Sequence, residues 1–201
     1  MAGTEELPLV IIRQQREARN GGAPGSFEFT KGWLVEPVNP PRTPLWVWGA
    51  GHIGRAVVQI ASQLEEFDIT WVDTSSERFP LDIPFNVTVV PAVEPTHLMA
   101  HAPKEAQHLI FTYSHALDLA LCDAALNRGF TFCGLSGSKS KWVRFKGRLS
   151  ALGHSDSKIS EITCPIGEPN LGKQPFAIAI GVTQSLLSAE IRSTDQRRAC
   201  L

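Results

Sequence analysis

The sequence is poor in cysteine, has no dominant charge and carries no long apolar run, and each absence removes a class of protein. Its four cysteines, Cys122, Cys133, Cys164 and Cys200, form no CxxC pair and no zinc-type spacing. Neither a disulfide framework nor a structural zinc site is therefore expected, and free thiols are. The 19 basic and 20 acidic residues leave a net charge of −1, so no global field draws in nucleic acid or membrane. The N-terminus lacks the basic region of a signal peptide. Its early apolar run, Leu7 to Ile12, follows Glu5 and Glu6, is broken by Pro8 and is too short to span a bilayer. A cytoplasmic protein is expected. No internal repeat stands out. At 201 residues and 43% hydrophobic content, the chain suits one domain with a sizeable core, with or without an appendage.

Residues 1–44 read differently from residues 45–201. Leu7 to Arg19 is compatible with a strand or a short helix, "NGGAPGSFEF" is turn chemistry followed by a strand, and Val35 to Pro44 is a proline-rich extended connector. From Leu45 the pattern alternates. Strands are predicted at Leu45–Trp48, Ile69–Val72, Asn86–Val90, Gln107–Thr112 and Phe130–Leu135. Helices are predicted at Ile53–Leu64, Pro95–Ala100, His115–Asn127, Lys139–Leu152 and Phe176–Leu187, with a weaker helical piece at Ile159–Ile162 and a Pro/Gly loop from Cys164 to Pro175. Apolar strands alternating with amphipathic helices predict an α/β fold, a Rossmann-like doubly wound parallel sheet with helices on both faces. Residues 1–44 would be a short N-terminal extension with a linker.

The first chemistry-bearing motif is "LWVWGAGHIGRA", in which Gly49-x-Gly51-x-x-Gly54 follows a strand and opens a helix. Gly49 permits the turn, Gly51 lets backbone N–H groups approach a phosphate, and Gly54 lets the helix pack on the sheet. Asp73 ends the next strand, 24 residues beyond Gly49, where a ribose-binding acid belongs. A nucleotide-type phosphate ligand is one reading; a scaffold that keeps its glycines for packing alone is the other. His52 projects from the loop, as a ligand contact or as a solvent-facing cap.

Three further stretches carry candidates. His115 and Asp118 open a helix at the C-terminal end of the fourth strand, where open α/β sheets bind ligands. Asp118 is accounted for by the helix dipole, His115 less well. "GLSGSKSK" places Gly137, Ser138 and Lys139 at a helix start that suits a phosphate, with a solvated basic face as the alternative. Cys164 sits in the Pro/Gly loop. It is a reactive thiol or candidate soft-metal ligand if the basic helix lends it thiolate character, or else a small buried hydrophobe. Cys122 and Cys133 are predicted core.

Taken together, "GAGHIGRA", "WVD", "SHALDLALCDAAL", "GLSGSKSK", "CPIG" and "GKQPFAIAI" resemble, in order and spacing from Val35 to Leu187, the XdhC/CoxI proteins. These are accessory proteins of xanthine dehydrogenase and related molybdenum hydroxylases. The resemblance implies an accessory protein without its own turnover. It would bind the molybdenum cofactor (molybdopterin), shield it, support its sulfuration with a cysteine desulfurase and deliver it to the apo-enzyme, xanthine dehydrogenase or a relative. A homodimer is compatible with it. By position, it maps cofactor binding to Gly49, Gly51, His52, Gly54 and Asp73, to His115, to Gly137, Ser138 and Lys139, to Cys164 (toward the molybdenum), and to Gly167, Gly172 and Lys173. The chain departs from the family pattern at three places. Tyr113 stands where the family has a first histidine, Ser136 replaces an apolar residue, and Gln174 replaces an acid. The family's N-terminal domain is largely missing from residues 1–44, which implies weak binding or a partner that supplies it. The alternative is an oxidoreductase using NAD(P) or FAD, for which Asp73 favours NAD over NADP and His115 is the proton-transfer candidate; no separate substrate domain is legible.

Overall fold

The computed structural model describes residues 7–19, 28–36 and 42–199. The expected turn in "NGGAPGS" and the middle of the proline-rich connector, residues 37–41, lie outside them, as does Cys200. The chain divides into two compact units, residues 1–42 and 43–201. In the first, Leu9–Arg19 is helix α1, and β1 (Glu28–Thr30) pairs antiparallel with β2 (Trp33–Val35). The two residues between those strands, Lys31 (φ 49°) and Gly32 (φ 82°), both adopt positive φ. That turn geometry matches the twist of a tight hairpin. Val35 thus belongs to a strand rather than to the connector.

The second unit runs β3 (Thr43–Trp48), α2 (His52–Ala61), β4 (Phe67–Asp73), β5 (Val87–Pro91), α3 (Pro95–Leu98), β6 (Gln107–Ile110), α4 (His115–Arg128), β7 (Phe132–Leu135), α5 (Lys139–Ala151), α6 (Asp156–Ile159), β8 (Ile162–Thr163) and α7 (Pro175–Ala199). The six strands of its sheet are all parallel, in the order β5-β4-β3-β6-β7-β8. This is a Rossmann-like, doubly wound α/β sheet. Val47 pairs with Trp71 on one side and with Leu109 on the other. The order reverses at β3 and β6, so a crevice opens beyond their C-terminal ends.

Strand alternation builds two cores. Leu45 and Val47 face a cluster with Val57 and Ala61 of α2 and Val182 and Leu186 of α7. Trp48 faces the opposite cluster, with Leu121 and Cys122 of α4 and Phe145 and Leu149 of α5. Each fully buried side chain of this size contributes about 1.5–3 kcal/mol, so α2 and α7 are held to one face and α4 and α5 to the other. Cys122 and Cys133 are fully buried, and burial pushes the Cys133 thiol up to about 12.

Three further expectations need correction. Thr43 and Pro44, expected in the connector, open β3 and pair with Phe67 and Asp68 of β4. The helical piece expected at Ile159–Ile162 ends at Ile159, and Ile162–Thr163 forms a sixth strand beside β7. Ser155 caps the short helix by accepting from the Lys158 N–H. A two-residue strand carries no readable period, so only pairing with Cys133 and Gly134 defines it. The last helix also continues past Leu187 to Ala199, because no proline or glycine follows Leu187 to stop it.

Candidate functional site

The three glycines after β3 have different jobs. Gly49 has φ 114°, and a Cβ there would lie 2.5 Å from the Phe111 carbonyl oxygen. Its N–H donates to the Val72 carbonyl at 2.8 Å, so the turn is wedged between the ends of β4 and β6. A Cβ on Gly54 would strike the Gly49 carbonyl oxygen, so Gly54 lets α2 pack against the turn. Gly51 caps α2 with an ordinary backbone (φ −74°, ψ −176°), and a Cβ there would meet nothing within 4 Å. Two glycines build the loop; the third leaves its mouth open at the positive end of α2.

Asp73 is buried and its carboxylate is already occupied. Oδ2 accepts from the Ala50 N–H at 2.5 Å. Oδ1 accepts from the Thr74 N–H at 2.6 Å and from the Thr74 hydroxyl at 3.1 Å. The Arg78 Nε lies 2.7 Å from Oδ1, an ion-pair contact outside hydrogen-bond geometry. The same guanidinium stacks 4.2 Å over the Tyr113 ring. Arg55 ties the group together, donating to the Ala50 carbonyl at 2.9 Å and to the Arg78 carbonyl at 2.6 Å. Asp73 therefore holds the glycine loop in place, with Oδ1 engaged by Thr74 and Arg78 and Oδ2 by the Ala50 N–H.

A cavity of about 310 Å³ lies at the C-terminal ends of β6 and β7. Ile53, Phe111 and Tyr113 line it with apolar surface; His115, Ser138 and Arg144 line it with polar groups. Ser114 caps α4 by accepting from Leu117 N–H at 3.3 Å, and Ser138 caps α5 by accepting from Lys141 N–H at 3.1 Å. Both helix starts therefore contribute to the wall. Below them lies a buried ion pair. The Lys141 Nζ is 2.5 Å from Asp118 Oδ2, with the side chains 8% and 2% exposed. Nζ also donates to the Ser136 carbonyl at 2.8 Å. Asp118 Oδ1 accepts from the Thr112 hydroxyl at 2.6 Å and the Thr112 N–H at 3.2 Å.

The structure thus gathers His115, Gly137 and Ser138 of the expected residues around one cavity. It places neither the loop glycines Gly49, Gly51 and Gly54 with His52 and Asp73, nor Lys139, Cys164 or Lys173, on that lining. His52, Lys139 and Lys173 are exposed. Cys164 is half-buried against the α4–α5 core, before a cis peptide to Pro165. Burial pushes its thiol up to about 11; Lys141 pulls it down, but by less. The basic helix therefore does not give Cys164 the thiolate character its sequence context suggested. Gly172 (φ 100°) turns the chain beyond Leu171, and Gly167 lines a separate groove beside α7. Among the described residues no group of three His, Cys, Asp or Glu side chains is placed to hold a metal ion.

Sequence reasoning missed Lys141 and Arg144. The signal was available for Lys141: it lies four residues before Phe145 and eight before Leu149, on the buried stripe of α5. Lys139, at the first helical position, points out.

A doubly wound sheet with a glycine loop at its switch point and a cation-walled cavity beside it defines a Rossmann-type domain with a candidate ligand site. Residues 45–186 match the family model described as the XdhC Rossmann domain, and the chain belongs to that family. It is 28% identical over 178 residues to the uncharacterized protein YqeB of Escherichia coli strain K12, covering 87% of this chain and 32% of that protein. A crystal structure described as a xanthine dehydrogenase from Bacillus halodurans has the same fold, with 21% identity and a TM-score of 0.60, over 77% of this chain and 44% of that one. The chain thus spans less than half the length of either. Among the described residues no helix is long and apolar enough to cross a membrane.

Proposed function

We propose that this chain is the cargo-holding domain of an accessory protein for xanthine dehydrogenase or a related molybdenum hydroxylase, and that it binds the molybdenum cofactor in the crevice beyond β3 and β6. The observation that carries this reading is the occupied carboxylate of Asp73. In a dinucleotide-binding sheet the acid at that position accepts hydrogen bonds from the ribose hydroxyls. Here its oxygens serve the loop. The cavity of about 310 Å³ is at the small end of the ~300–1,000 Å³ range of small-molecule sites. It suits one phosphate-bearing arm or ring rather than two nucleotides. Membership of the XdhC family points to a cofactor pterin with a phosphate.

The chain's own residues divide the work. The α2 start with Gly51, and the cavity wall with Ser138, Lys141 and Arg144, receive anionic oxygens. Phe111, Tyr113 and Ile53 cover the apolar face of a ring and exclude water from it. His115 stands at the rim. The pterin supplies its own sulfur ligands to the molybdenum, so no protein metal cluster is needed. Cys164, the only described cysteine with partial exposure, lies off the cavity lining and is the candidate to meet a metal end that extends past the cavity. Sulfuration with a cysteine desulfurase and delivery to the apo-enzyme complete the proposed cycle, in the cytoplasm.

The test is an anaerobic titration of the protein with molybdenum cofactor released from a donor enzyme, in parallel with NAD, NADP and FAD. Binding of the pterin and none of the dinucleotides is the expected result. Saturable binding of NAD or FAD without the pterin refutes the proposal.

A further inference from the structure

We infer that Lys141, rather than the exposed Lys139, is the residue that grips an anionic oxygen of the ligand, and that the group it takes is a phosphate. The inference rests on the cavity being the ligand site and goes beyond it in naming the anchoring atom. A lysine ammonium has three protons to donate. Among the described residues the Lys141 Nζ has two acceptors, Asp118 Oδ2 and the Ser136 carbonyl. Its remaining neighbour is the Phe145 ring at 5.1 Å, a π face without a lone pair. The third proton therefore belongs to a side chain that lines the cavity and is only 8% exposed.

The fold builds this position. A Cβ on Gly137 would lie 2.7 Å from the Lys141 Cδ, so the glycine is what lets the lysine stem cross the turn. Asp118 fixes the far end, and is itself fixed by Thr112. The cost of ordering a long side chain is thus met before any ligand arrives.

Charge selects the ligand. Asp118 is the single carboxylate on the lining and is matched by Lys141. Arg144 leaves one positive charge in excess, beside the N-terminus of a 13-residue helix capped by Ser138. A cation would meet repulsion there. A phosphate can accept from Lys141, from Arg144 and from the backbone at the turn together.

The experiment titrates inorganic phosphate into the full chain and follows backbone amides from Ser136 to Lys141, and the Lys141 ammonium, by NMR. The expected result is saturable shifts of both with one dissociation constant. The variant is the double change Asp118→Asn with Lys141→Met, which removes both charges and leaves neither unpaired. It should raise that constant roughly 10-fold to 100-fold, the loss of a hydrogen bond to a charged group. Lys146→Met, which removes a charge from the exposed side of α5, should leave it within about twofold.

An unchanged constant in the folded double variant, or a wild-type protein whose Lys141 ammonium does not respond, overturns the inference. If phosphate binds through Lys141 while the molybdenum cofactor does not bind, Lys141 stands and the cofactor reading falls. If the cofactor binds equally well to wild type and double variant, the cofactor reading stands and Lys141 falls.

Discussion

Alanine at each of the three loop glycines should give three different results, although the sequence motif treats them alike. Gly49→Ala meets two penalties. A side chain at φ 114° lies outside the regions open to L-residues, which costs about 1–3 kcal/mol. Its Cβ would also sit 2.5 Å from the Phe111 carbonyl oxygen, and relieving such a contact in a packed site costs about 1–3 kcal/mol more. A loss of roughly 2–6 kcal/mol is therefore expected. Gly54→Ala gains about 1 kcal/mol of helix propensity, yet its Cβ would strike the Gly49 carbonyl oxygen, a backbone atom that cannot swing aside. Set against the same cost of about 1–3 kcal/mol for the contact, a net loss of roughly 0–2 kcal/mol is expected. Gly51→Ala has an ordinary backbone and open space, so its stability should stay within about 0.5 kcal/mol. The assay is urea unfolding at pH 7 followed by tryptophan fluorescence, with the phosphate titration run on each folded variant. Gly51→Val should keep the fold and weaken the molybdenum cofactor at the α2 start, while phosphate binding in the Lys141 cavity, which Gly51 does not line, stays unchanged. A Gly51→Ala variant as unstable as Gly49→Ala, or a neutral Gly49→Ala, would refute this division of labour.

Two other perturbations follow from buried groups. His108 is fully buried in β6 and its pKa is lowered by burial to about 4. The Trp48 indole donates to its Nδ1 at 3.2 Å, so charging the ring would oppose two N–H groups. Because the folded value lies below the unfolded 6.5, the unfolded chain binds the extra proton. Stability from this group is complete above pH 6.5 and is lost as pH falls toward 4, by about 3 kcal/mol in all. His108→Gln keeps an acceptor for Trp48 and does not titrate, so its unfolding free energy should lack that part of the acid slope; identical pH profiles would overturn the assignment. Cys164, with its thiol pushed up to about 11, should be alkylated slowly at pH 7.5, where about one thiol in three thousand is ionised. In a Cys200→Ser background the iodoacetamide rate should climb steadily to pH 10. A plateau near pH 8 would mean a thiolate that the burial argument forbids. Cys164→Ala should impair cofactor maturation more than folding; equal loss of soluble protein and activity would return Cys164 to the core.

Much of this molecule was legible in the chain itself, because its signals are local. The apolar run of β3, the helix starts at His115 and Lys139, and the stripe of α2 each lie within one element, where periodicity acts. The family resemblance rests on short motifs of the same kind. What only the tertiary structure decided depends on pairs distant in sequence. Ile162–Thr163 is a strand because β7 lies beside it. Asp73 is a loop brace rather than a free acid because the Ala50 N–H and Arg78 converge on it. Lys141 is a buried cavity cation, and Lys139 an exposed one, because α4 brings Asp118 against one face of α5 and not the other. Propensity and spacing are properties of neighbours along the chain. The charge environment of a site is a property of neighbours in space, and here it was set by the packing of two helices on one sheet.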